Sequence, residues 1–117
     1  MVINLEEPPQ VRVGRGYNWL TNHGPSFGLD VNLINPATLD IADIRQCVLG
    51  QASGATFGKA MAITNHSSDF EWAVSHGFMW TGFNDGNELN KAWRQLLGAP
   101  TKSFRTKLLS ALGSLIV

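Results

Sequence analysis

The most reactive side chain in this sequence is Cys47, and His23, His66 and His76 are the residues able to serve it as a base or to ligate a metal. A thiolate near a helix N-terminus is activated, because the positive end of the helix favours its charge. The neighbourhood of Cys47 points to packing instead. Ile41, Ile44, Cys47 and Val48 recur at i, i+3, i+6 and i+7, one face of an amphipathic helix. On that spacing Cys47 lies in the second turn, too deep for a large dipole effect, and a buried free cysteine behaves as a small hydrophobe. A cysteine hydrolase is therefore the remotest function class, and no enzyme activity is expected. The histidine positions match no ligand motif and no H-E-x-x-H occurs, so neither a metal nor a cofactor is expected. Gly14-Arg15-Gly16 and Gly24 to Gly28 are too short for a phosphate-binding loop.

Aromatic and basic side chains carry the remaining chemistry. Trp19, Trp72, Trp80 and Trp93 are many tryptophans for a chain of 117 residues. The stretch Phe78-Met79-Trp80-Thr81-Gly82-Phe83 is dense in aromatics. Core filling is the plainer reading. The functional one is a partner-binding surface through Phe78, Trp80 and Phe83, since interface hot spots favour tryptophan and cations favour aromatic faces. Net charge is zero but uneven. Residues 30–88 hold Asp30, Asp40, Asp43, Asp69, Glu71, Asp85 and Glu88 against Arg45 and Lys59. Residues 91–117 hold Lys91, Arg94, Lys102, Arg105 and Lys107 and no acid. Lys102, Arg105 and Lys107 are thus candidate partner contacts, for an acidic protein surface or a nucleic acid. Two helices joined by Gly98-Ala99-Pro100 would echo a helix-turn-helix, although zero net charge is weak for a DNA binder. The plainer reading is a solvated face that balances the acidic middle.

The elements that must position these residues follow from caps and periodicity. Asn35-Pro36 marks a turn. Asp40 then reads as an N-cap for a helix near 41–52 with Cys47 inward, ended by Gly50 or Gly54. A short helix is predicted near 56–63. Ser68 with Glu71 reads as a capping box for a brief helix closed by His76-Gly77. Asp85 with Glu88 reads as a second box, opening a helix over 86–97 in which Leu89, Ala92, Trp93, Leu96 and Leu97 form one face. Thr101 caps a last helix with Phe104, Leu108, Leu112 and Leu115 along one side. If that helix left the domain, a homodimer or a host-protein groove would have to bury the stripe. Val11-Arg12-Val13-Gly14-Arg15-Gly16-Tyr17 and Leu29-Asp30-Val31-Asn32-Leu33 alternate as strands do, and suggest a small antiparallel ribbon.

The expected fold is therefore α+β: a mainly helical small single domain over 11–117, with four to five short helices, an N-terminal β-ribbon and a flexible arm over 1–10. The expected core is Ile41, Ile44, Cys47, Leu49, Phe57, Phe70, Leu89, Trp93 and Leu96. The chain is 44% hydrophobic and 15% charged, as suits a compact fold. No stretch is long and apolar enough to span a membrane, and no secretion signal is visible. One cysteine excludes an internal disulfide framework, which favours a cytoplasmic location.

Residues 35–97 also resemble small uncharacterised proteins encoded by actinobacterial phages, mycobacteriophages above all. The resemblance rests on Asn35-Pro36, Thr38-Leu39-Asp40, Cys47-Val48-Leu49-Gly50-Gln51, then Gly54, Phe57 and Gly58. It continues through His76-Gly77-Phe78 and the Leu89 to Trp93-Arg94 helix. Lys59 and Asn65-His66-Ser67 depart from the pattern, which is more acidic there. It implies a phage accessory protein made in an actinobacterial host, and the function expected of such a protein is to bind a host macromolecule, most simply a host protein, in the host bacterial cytosol. It implies no catalytic residues.

Overall fold

The computed structural model of the protein describes residues 7–98. Among them there is no β-strand, so the fold is all-α rather than α+β. The helices are α1 (Pro9–Asn22), α2 (Val48–Ser53), α3 (Phe57–Ile63), α4 (Phe70–Ser75) and α5 (Phe83–Leu97). The last predicted helix and Lys102, Arg105 and Lys107 lie outside the described residues, as do residues 1–6 of the expected arm. Glu7 is tied down, its carboxylate pairing with Arg15 at 2.6 Å.

The expected ribbon does not form. Residues 11–17 fall inside α1, where Pro9 takes a first-turn position that lacks a helical acceptor in any case. Val13, Gly16 and Leu20 are buried on one side, and Val11 and Arg12 are buried as well. Apolar and basic residues thus alternate because this helix is enclosed on more than one side and Arg12 is an interior residue. Within residues 29–33 a 3-10 turn, Val31–Leu33, forms instead, capped by Asp30, whose side chain accepts from the Asn32 amide. Leu29 is buried there, whereas Leu33 is 55% exposed.

The helix predicted over 41–52 begins only at Val48. Asp40 and Asp43 are not its caps. Asp40 Oδ1 accepts from the Ala42 amide, and Asp43 Oδ1 from those of Arg45 and Gln46. These local bonds hold 40–46 in turns, the competition with helix that aspartate is prone to. Cys47 is the N-cap, its sulfur accepting from the Gly50 amide. Gly54 ends α2 at φ 68°, as expected.

α3 matches its predicted span, capped by Thr56. α4 is capped by Asp69 rather than Ser68, and it ends at His76-Gly77 as expected. α5 starts three residues before the predicted box, at an N-cap of Gly82. Asp85 is free of capping duty because it pairs with Arg12.

α5 is the central pillar. Leu89, Trp93 and Leu96 are fully buried. The Trp93 indole stacks on Phe78 at 5.9 Å, and its Nε1–H donates to the Gly77 carbonyl at 2.6 Å. α1 packs across α5 and α4. A Cβ on Gly16 would lie 1.9 Å from the His76 carbonyl oxygen, so only glycine lets α1 approach the end of α4 so closely. Of the expected core, Ile41, Cys47, Leu49, Leu89, Trp93 and Leu96 are buried. Phe57 is only partly buried and Phe70 is 51% exposed, while Ile44 is 62% exposed because it lies in the turns over 41–46 rather than on a helix face.

Candidate docking groove

Two loops that face each other across the molecule build a groove. The first, residues 39–47, is fastened to α5 and α2. The Ile41 amide donates to Asn90 Oδ1 at 2.6 Å, and Arg94 Nη2 donates to the Leu39 carbonyl. Gly50 lets α2 press on the loop, since a Cβ there would lie 2.5 Å from the Ile44 carbonyl oxygen. The Phe57 amide then takes that same carbonyl at 2.7 Å, which brings α3 alongside.

The second loop, residues 76–82, is fastened from within by Arg12. Its Nε donates to the Val74 carbonyl and its Nη2 to the Met79 carbonyl. Its guanidinium also forks onto both carboxylate oxygens of Asp85, at 2.7 and 3.0 Å. Asp85 Oδ2 in turn accepts from the Thr81 amide. Burial alone would raise the Asp85 pKa, but the bonds from Arg12 and Thr81 outweigh it and hold the carboxyl below its usual range. Trp80 sits at the loop's outer edge against Gly86 of α5.

Three hollows that share lining residues lie at and beside the meeting of these loops. The middle one, about 200 Å³, is lined by Ile41, Ile44, Cys47, Phe57, Phe78 and Trp80 among others. It shares Ile41, Ala42 and Trp80 with a second of about 200 Å³ that reaches Gly86, Asn87 and Asn90 on α5. It shares Ile44 and Phe57 with a third of about 460 Å³ that reaches Met61, Ser67, Ser68 and Phe70. The three hollows thus adjoin one another along a mainly apolar trough, with Ile44, Trp80 (36% exposed) and Phe70 standing proud.

The structure separates the aromatic candidates. Trp80 is on the surface, whereas Phe78 is 1% exposed and belongs to the floor; the side chain of Phe83 lies outside the described set. Sequence reasoning missed Ile44, Phe57 and Phe70 as groove residues and placed them in the core. The signal that could have found Ile44 is the run Asn35, Asp40, Asp43, whose side chains favour turns over helix.

Cys47 is 1% exposed, and burial pushes its thiol pKa up despite the Gly50 amide. The histidines serve an aromatic cluster. Trp72 is stacked on one side by His66, at 3.8 Å and 6° between planes, and lies 4.7 Å from His76. Trp19 meets Trp72 edge-on at 4.9 Å. His66 Nδ1 lies 3.4 Å from Asp69, and His76 Nδ1 lies 2.8 Å from the Trp72 carbonyl oxygen. Burial depresses the His76 pKa. Among the described residues no three His, Cys, Asp or Glu side chains converge to hold a metal, and no helix is long and apolar enough to cross a membrane. Comparison of the chain with known protein families, with characterised proteins and with solved structures finds no match.

Proposed function

We propose that this protein is a non-enzymatic binding module whose groove docks a segment of another protein. The observation that carries the reading is the trough itself. Large apolar side chains are exposed side by side around a concave, apolar floor, and such patches mark interaction sites. A tryptophan at the rim is the residue type that most often anchors a partner. The resemblance to actinobacterial phage proteins supports a host protein as that partner, and the host cytosol as the place where it acts. The test is capture from an actinobacterial lysate with the parent and with Ile44→Ser, both checked for folding. Any protein retained is then purified and its affinity measured directly. The reading predicts a partner whose affinity drops at least about tenfold with Ile44→Ser. A partner that binds both forms equally contradicts it.

A further inference from the structure

We infer that the groove is built for a basic amphipathic helix, an inference that rests on the docking reading above. The side chains that line the three hollows include two formal charges, Asp40 and Asp43, and both are carboxylates at exposed positions. Each spends Oδ1 on loop amides, which fixes it in place; Oδ2 takes no hydrogen bond from the described residues. The amides of Arg45 and Gln46 hold the Asp43 carboxyl below its usual range. Arg45 and Lys59, the bases nearest in sequence, line none of the hollows. The formal charges that line the trough are therefore both negative, with Arg45 close enough for its charge to act on Asp43 from outside the lining. An approaching segment must bring apolar side chains for the floor and cations for its edge.

The backbone of that segment is constrained too. The described residues offer no strand edge on which an extended peptide could add a strand. A mode that needs no such edge is a helix that lays one face into a groove, read at i, i+3, i+4 and i+7. Such a helix satisfies its own backbone and needs only side-chain recognition, which is what an apolar trough with fixed carboxylates supplies. Residues 101–117 of this chain have this composition, with Phe104, Leu108, Leu112 and Leu115 beside Lys102, Arg105 and Lys107. A second copy is thus the rival occupant that the test must separate from a foreign helix.

The experiment uses the full chain and two labelled peptides, each about five turns long. Both carry leucine at the groove-facing positions; one carries lysine elsewhere and the other glutamate. Fluorescence anisotropy at low salt should show the lysine peptide binding at least about tenfold more tightly. Ile44→Ser should weaken it, and Asp40→Asn with Asp43→Asn should cost it roughly three- to tenfold while leaving the glutamate peptide no weaker. Equal binding of the two peptides, both weakened by Ile44→Ser, overturns the basic preference and leaves the docking reading standing. Lysine-peptide binding that ignores both sets of substitutions overturns the inference, because the peptide is then held elsewhere. If neither peptide binds while Ile44→Ser still loses its lysate partner, the inference falls alone. If the parent self-associates and Ile44→Ser is monomeric, a second copy is the occupant and the foreign helix is overturned.

Discussion

Cys47 holds the end of a loop rather than a reaction. Its sulfur caps α2 through the Gly50 amide and reaches the Ile44 carbonyl at 3.7 Å. With burial holding the thiol protonated, the native protein should react with a small thiol reagent only as fast as it opens. Rapid stoichiometric labelling of folded protein would contradict this. Cys47→Ala removes the cap and should cost about 1–2 kcal/mol, read from the denaturant midpoint. Trp93→Ala should cost more, about 3–5 kcal/mol, because it removes the largest fully buried side chain and leaves the Gly77 carbonyl without its donor. A melting temperature within a few degrees of the parent would show that α5 is not the pillar described.

Among the elements, α1 and α5 are stapled by Arg12 and Asp85, and the loop bearing Met79 and Trp80 hangs from the same guanidinium. Arg12 has 3% side-chain exposure and Asp85 16%, so removing one partner strands a charge in a largely dry place. Arg12→Met should cost about 3–5 kcal/mol and loosen the groove wall. The double change Arg12→Met with Asp85→Asn should recover part of that loss, since the orphaned carboxylate is gone. A double mutant no more stable than the single would mean that the bonds to Val74 and Met79, rather than the ion pair, carry the effect. Peptide affinity measured on either variant, while still folded, reports how far the groove depends on this staple.

For the molecule as a whole, acid works against the fold from two sides. His76 is held below its ordinary value of 6.5, first by burial and then by Arg15 and His66, against the Trp72 carbonyl and Asp69. In the unfolded chain it titrates normally. Above that value both states are neutral and its contribution is intact. As pH falls through 6.5 the unfolded chain takes up the proton first, and stability declines until the folded pKa is passed. Glu7 and Asp85 are also lowered, Glu7 chiefly by its bond from Arg15, and their contributions are lost further into acid. Melting temperatures followed from about pH 8 to about pH 5 should fall, and His76→Gln should flatten the upper part of that slope. An unchanged slope would place the loss on other groups.

The sequence by itself determined α3, the end of α4 and the buried face of α5, because each is a local matter of caps and a 3.6-residue repeat. Leu89, Trp93 and Leu96 repeat as a helix face whatever surrounds them. The tertiary structure decided what local pattern cannot encode. Arg12 reads as one residue of an alternating strand until Asp85, 73 positions away, gives it a partner in the interior. Gly16 reads as a weak point in that strand until the His76 carbonyl occupies the space of its missing Cβ. Ile44 and Phe70 have the composition of core. Whether Ile44 faces inward was settled by Asp43, whose side chain took the Arg45 and Gln46 amides and kept the loop from becoming a helix. That same competition leaves Ile44 at the rim, and the groove exists because it does.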